Sequence, residues 1–392
     1  MIRFTAVGDV GPERRDVDTL FEKVAGHIRE ADVAFMQLEM TLTDRGQRVP
    51  QTKHTSRTSP EAAHAFRRAG FTHAGWASNH SLDWGYEGFF DTIEALEGAG
   101  LVPLGVGRTL GEAREIRVVE VDGIRVAILA YCSILPADYW ATPNRAGVAP
   151  LRAFTVHEPA EPDQPGTPQR MFTFPHPDDE QGMVDDIARA RELADAVIVS
   201  AHWGIHFTHA QLADYQRTLG HAAIDAGADL VIGHHAHILK GIEVYRGKAI
   251  FHSLGNFAIE LPMDEEHANR PSFRHLMSLH PGWEPDIGGM FNFPPDSRKS
   301  MVVSCEIDAS GVSGLRFRPV MIDRMAVPEI LPSSDPRFSE VLDYVRTITA
   351  DAGLDTTFTV DGDDILVDTG GAPDVAVSEL GLGALGCGVL FH

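Results

Sequence analysis

The sequence predicts an α/β fold, and three observations carry that prediction. Short apolar runs alternate with amphipathic stretches of helical spacing through most of the first 260 residues. Glycines such as Gly70 and Gly100 stand where those helical stretches should stop. Several apolar runs end at an acid, an amide or a histidine, and α/β sheets bind ligands outside the carboxyl ends of their strands.

In chain order, IRFTAVG (2–8), ADVAFMQL (31–38), FTHAGWA (71–77) and RVAILAY (125–131) read as strands. Helical spacing covers residues 16–30, 60–69 and 86–99. After a gap the rhythm resumes with a helix over 182–194, a strand DAVIVSA (195–201), a helix over 211–227 and a strand ADLVIGH (228–234). GIEVYRGKAIFHSLG then reads as a hairpin with Tyr245–Lys248 at its turn. This layout predicts a main domain over 1–260 with a Pro-rich, acidic surface excursion near 155–180. Residues 261–300 are rich in Pro, His and aromatics, too apolar for a solvated linker. The expectation is a lid or insertion plus closing strands over 261–325, then a C-terminal extension over 326–392.

The 392 residues include 56 acidic and 33 basic side chains, a formal charge of −23. That balance argues against a nucleic-acid binder, which needs a basic footprint. It leaves room for an anionic substrate, because a bound cation inverts the local field. Cys132, Cys305 and Cys387 are odd in number, far apart and outside any CxxC pair, so no disulfide framework is expected. MIRFTAVGDV lacks the features of a signal peptide, and no uncharged apolar run reaches 18 residues. A cytoplasmic protein without a membrane anchor is expected; its oligomeric state is open.

The chemistry concentrates at the strand ends. They carry Asp9, Glu39, Asn79-His80 followed by Asp83, His202 and the run His234-His235-Ala236-His237. Any one of these is ordinarily a turn, a cap or a core histidine; five together on one edge point to a metal centre. Carboxylate and imidazole donors without thiolates suit one or two Mn, Fe, Zn or Co ions rather than a structural zinc. No GxGxxG, GxxxxGK[ST] or GxSxG motif accompanies them, which removes dinucleotide, P-loop and serine-hydrolase readings.

Gly8-Asp9-Val10, Leu38-Glu39, the run Ser78 to Gly85, His202-Trp203-Gly204, Gly233 to His237 and Ser253-Leu254-Gly255-Asn256-Phe257 resemble, in order, the motif series of the CapA family. Arg57 with the SPEAA run after it, and Gly147 to Leu151, resemble it too. These are poly-gamma-glutamate capsule biosynthesis proteins, which are similar to calcineurin-like metallophosphoesterases. The resemblance implies an αββα sandwich of two packed sheets flanked by helices. It implies that Asp9 binds one metal, that Glu39 bridges two, that Asn79, His202 and His235 complete the second, and that His237 returns to the first. His80 is then the general acid or electrostatic stabiliser, with Asp83 orienting it, and a metal-activated hydroxide attacks a phosphoester or a related anionic ester or amide.

Two departures stand out. The broader class carries Asp-x-His where this chain has Asp9-Val10-Gly11, so the first metal keeps three protein donors unless a residue such as His234 is borrowed. Where the family often has an acid beyond His-Trp-Gly, this chain has His206, a substitute ligand, a substrate contact or a surface residue. Lysine is scarce, so Lys53 and Lys240, with His54 and Arg57, are further candidates for holding an anionic small molecule or polymer. Amide chemistry on a gamma-glutamyl or peptide-like polymer is one alternative. A metal-stabilised polymer-binding or assembly protein with weak turnover is another.

Overall fold

Two sheets account for most strands of the computed structural model, which describes residues 1–50, 55–280 and 282–370. The larger runs in the order Phe358–Asp361, Asp364–Val367, Gly311–Ile322, Lys299–Asp308, Ile2–Gly11, Val33–Leu38, His73–Gly75 and Val102–Leu104. Asn256–Ile259 also pairs with Ile2–Gly11, and Pro328–Ile330 with Gly311–Ile322. The smaller sheet runs Ile242–Tyr245, Lys248–Phe251, Leu230–His234, Ala196–His202, Ile124–Cys132 and Arg117–Val121. Parallel pairs fill the middle of the smaller sheet and one half of the larger, and antiparallel pairs extend both.

The alternation of side chains along each strand sorts the apolar residues into three layers. Phe4, Phe35, Val303 and Phe317 of the larger sheet share an inner core with Ile128, Ile198, Ile232 and Phe251 of the smaller. The opposite face of the larger sheet buries Ala34, Met36 and Val302 with Leu20, Phe21 and Phe66. On the far side of the smaller sheet, Leu129, Val197 and Val199 bury Met183, Ile187 and Leu219 from helices Pro177–Leu193 and Asp214–Asp225. The result is the helix–sheet–sheet–helix sandwich expected for this chain.

Every expected strand is present, although the run at 71–77 is reduced to His73–Gly75. Helix Ala62–Ala69 stops at Gly70, whose φ of 116° closes the last turn. The helix expected over 16–30 breaks into a 3-10 turn, Val17–Leu20, and a short helix, Ala25–Ile28. Thr19 Oγ1 bonds back to the Asp16 carbonyl, a local bond that competes with the helical ladder. The helix expected from 182 begins earlier, at Pro177. A proline in its first turn and the acids Asp178, Asp179 and Glu180 favour that start.

The excursion near 155–180 is an exposed ribbon of Ala153–Pro159 against Gln169–Pro175. Residue 260 is not a structural boundary. Lys299–Asp308 pairs with Ile2–Gly11 from Ile2↔Ile307 to Ala6↔Val303, so the later strands build the same sheet. Helix Pro336–Asp351 adds Phe338, Val341, Val345 and Ile348 to the inner core. Among the described residues, no helix is long and apolar enough to cross a membrane.

Candidate metal centre

The strand ends of the two sheets meet at one buried cluster. Asp9 lies on a register shift of the first strand, where Gly8 is skipped between Val7 and Asp9 in the pairing to Val33–Leu38. A Cβ on Gly8 would sit 1.9 Å from the Gly255 carbonyl oxygen, so only glycine permits this close approach. The shift turns Asp9 toward the turn at residues 235–237, and its Oδ2 accepts from the His235 backbone N–H at 3.3 Å. Glu39 follows the second strand directly and is buried.

Two donor groups share Glu39. One joins Glu39, His202 and His235; the other joins Asp9, Glu39 and His237. In the first, His202 Nε2 lies 3.2 Å from Glu39 Oε1 and 2.7 Å from Asn79 Oδ1. In the second, His237 Nδ1 lies 3.5 Å from Asp9 Oδ2 and 3.6 Å from Glu39 Oε2. His235 and His237 take left-handed backbone angles, φ 84° and 55°, which strain non-glycine residues by roughly 1–3 kcal/mol each. Strain of this kind collects where a turn must aim particular side chains.

The electrostatics fit a cation cradle. Asp9 Oδ1, both Glu39 oxygens, His202 Nδ1 and His235 Nδ1 are buried without hydrogen-bond partners, an expensive arrangement for a chain alone. Burial first, and then the charge of Glu39, push the Asp9 carboxyl well above its ordinary range. Burial acts upward on Glu39 too, but His237, His202 and His80 outweigh it and hold Glu39 low. Burial holds His202 below its usual value, and burial with neighbouring imidazoles lowers His235 further. Neutral imidazoles are the form that divalent-ion ligands need, and the upward push on Asp9 is the cost of burying two carboxyl groups together with no cation between them.

His80 stands beside this cluster but belongs to neither donor group. Its Nδ1 donates to Asp83 Oδ2 at 2.6 Å, and the Tyr139 hydroxyl donates to Asp83 Oδ1 at 3.1 Å. Burial pulls His80 down, but the charge and hydrogen bond of Asp83, with Glu39 behind, hold it up to about 9. Burial is the largest single influence, and the three upward ones exceed it only together. Asp83 is not a helix cap: helix Gly85–Gly98 begins after Trp84 without a side-chain cap bond.

The predicted substrate contacts fare differently. His206 joins the cluster, its ring centre 3.9 Å from that of His235 and 5.2 Å from that of His237. Lys240 does not serve as an open anion contact. It is 1% exposed, and its ammonium donates to the Thr208 and Gln211 carbonyls, tying down the loop that carries His206. Arg57 is exposed, but its guanidinium lies 4.0 Å over the Trp84 ring and donates to the Arg45 carbonyl. Lys53 and His54 lie outside the described residues. His234 does not join the donor group of Asp9, Glu39 and His237. It is buried in the inner layer, with Nδ1 3.4 Å from Ser200 Oγ and its ring 5.7 Å from Phe35.

Two residues escaped the sequence reading. Asn256 is buried, pairs with Asp9 in the sheet, and places Oδ1 2.8 Å from His237 Nδ1. Its position inside the SLGNF run was the available signal. Tyr139, which braces Asp83, carries no local pattern that marks it.

Among known proteins, the chain is 29% identical over 250 residues to PGA biosynthesis protein CapA of Bacillus subtilis, covering 63% of this chain and 58% of that one. It is 30% identical over 275 residues to capsule biosynthesis protein CapA of Bacillus anthracis, covering 66% and 60%. The chain thus spans about three fifths of the length of these relatives. Among solved structures it is similar to a calcineurin-like phosphoesterase of Bacillus subtilis, YfkN, at 14% identity and a TM-score of 0.36, covering 90% of this chain and 97% of that one. Residues 3–260 match the family model described as bacterial capsule synthesis protein PGA_cap; the match takes in every donor of the cluster, and the chain belongs to that family.

Proposed function

We propose that the chain is a metal-dependent hydrolase of the metallophosphoesterase type, acting on a phosphoester or a related anionic ester or amide. The observation that carries this reading is the pair of buried donor groups sharing Glu39, with His80 beside them and bound to neither. Asp9, Glu39 and His237 would hold one divalent ion, with the amide oxygen of Asn256 2.8 Å from His237 Nδ1. Glu39, His202 and His235, with Asn79 beside His202, would hold the second. Mn, Fe, Zn and Co suit such carboxylate and imidazole sets. Ions held there supply Lewis acidity toward a substrate oxygen and lower the pKa of water.

The chain's own residues do the rest. Asp83, braced by Tyr139, fixes the His80 ring and takes its Nδ1 proton in a hydrogen bond. The opposite edge of the ring remains to donate a proton to a leaving group.

A second reading comes from the names of the relatives, which are biosynthetic: amide chemistry on a gamma-glutamyl polymer. A third is a metal-stabilised assembly protein without turnover. One experiment separates the first from the third: metal content measured beside turnover of a generic aryl phosphate. Two ions with turnover support the hydrolase. One ion or none, with no turnover on any ester, supports the assembly protein. Release of glutamate from gamma-glutamyl peptides, with no action on esters, supports the second.

A further inference from the structure

Among the described residues, the cations expected to hold the substrate are engaged elsewhere: Lys240 bonds two carbonyls from inside the fold, and Arg57 stacks on Trp84. What surrounds the donor histidines instead is a set of rings. His206, Phe207 and Phe293 have their centres 5.2, 5.5 and 5.1 Å from that of His237. His206 and Phe207 lie within 20° of parallel to it, and Phe293 is tilted by 41°. His206 is exposed and Phe207 and Phe293 are half-buried, so each residue keeps part of its surface open beside the donor cluster.

The fold holds these rings in place. Phe207 takes a φ of 52°, a costly conformation for a bulky residue, and its backbone N–H donates to the Ala236 carbonyl at 3.0 Å. Lys240 secures the same loop from beneath through Gln211, at 3.0 Å. Phe293 arrives from the aromatic segment after residue 260 and is backed by the buried ring of Phe291, 5.0 Å away. Apolar surface kept open beside charged donors is unfavourable at about 25 cal/mol per Å², so a ligand that covers it gains that burial. Ring faces favour a flat, apolar partner in stacked or edge contact.

We propose that His206, Phe207 and Phe293 form a subsite for a flat aromatic ring carried by the anionic ligand whose charged group meets the donor cluster. The inference rests on the metal-hydrolase reading and narrows its substrate class to anions joined to an aromatic ring. A bare gamma-glutamyl chain has no such ring.

The test uses the full chain loaded with Mn or Zn, and the affinities of phenylphosphonate and methylphosphonate, which share one anionic group and are not hydrolysed. Phenylphosphonate should bind about ten-fold more tightly to the wild-type protein. Phe293→Ala should remove most of that preference and leave methylphosphonate affinity and metal content unchanged. Phe293→Leu keeps apolar volume without a ring face and should do the same if Phe293→Ala fails to fold. Equal affinities in the wild type, or variants that keep the preference, would overturn the subsite while leaving the metal reading standing. If neither phosphonate binds to protein that holds its ions, the hydrolase reading falls, and the subsite with it.

Discussion

His80 differs from the other histidines of the cluster in holding a carboxylate partner of its own. Its hydrogen bond to Asp83 raises it, whereas burial lowers His202 and His235. That contrast separates a proton donor from ligands and yields opposite expectations for single substitutions. His80→Ala should keep folding and metal content while reducing turnover by roughly 10²–10⁴-fold, the usual contribution of a general acid. His235→Ala or His202→Ala should lower metal occupancy, which the exposed Lys23→Ala should not; metal analysis of the purified variants checks both. A parallel loss of metal in His80→Ala would make His80 a ligand instead. The readability of these residues follows from their position. Asp9, Glu39, Asn79 and His202 end apolar runs, so sequence spacing alone brought them to one edge. Asn256 and Tyr139 act through contacts set by sheet pairing and a long loop, which no local pattern encodes. Lys240 misled because a lysine near a histidine cluster reads as a substrate contact until its burial is seen.

The strand bearing Asp9 shows how an element aims a residue. Its register shift depends on Gly8, since any Cβ there meets the Gly255 carbonyl. Gly8→Ala should destabilise the protein by roughly 3 kcal/mol, at the upper end of overpacking costs, as read by denaturant unfolding. It should weaken the ion held by Asp9 before the ion held by His202. The hairpin Ile242–Tyr245 and Lys248–Phe251 supplies a pH test away from the metal. Burial raises Glu243, but hydrogen bonds from His252 and His221, at 2.9 and 2.6 Å, outweigh it and bring its carboxyl down to about 2. A folded value below the ordinary 4.5 means that this stabilisation is present above pH 4.5 and lost as the pH falls toward 2. The stability gap between wild type and Glu243→Gln should therefore be open at pH 6 and close across that window, as thermal melts would show. Helices were less legible than strands here. The break within 16–30 comes from a side-chain bond that periodicity does not register, and the extended hydrogen-bonding edge offered to Lys299–Asp308 is invisible until the first strand is placed.

At the scale of the whole molecule, two sheets pack face to face so that strand ends from both converge. Asp9 and Glu39 come from the larger sheet, and His202, His235 and His237 from the smaller and the turn after it. The alternating pattern was enough to read the class of fold, and the layers follow from the period of two within strands. The closing strands expected within 261–325 join the larger sheet, and the stretch expected as a C-terminal extension adds Pro328–Ile330, Phe358–Asp361 and Asp364–Val367 to it. The site is assembled from parts about 230 residues apart, so ion binding should stabilise the sandwich as a unit. Chelation should lower the melting temperature and should proceed in two steps. The ion held by Asp9, Glu39 and His237 should leave first if Asn256 is no ligand, and Asn256→Ala should separate the two steps further if it is.

The central claim is that one shared carboxylate joins two ion sites. Anomalous diffraction from crystals of the chain grown with Mn or Zn tests it most directly. Two peaks on either side of Glu39 are expected, one beside Asp9 and His237 and the other beside His202 and His235. No peak at either position, with the metal supplied in excess, would contradict it.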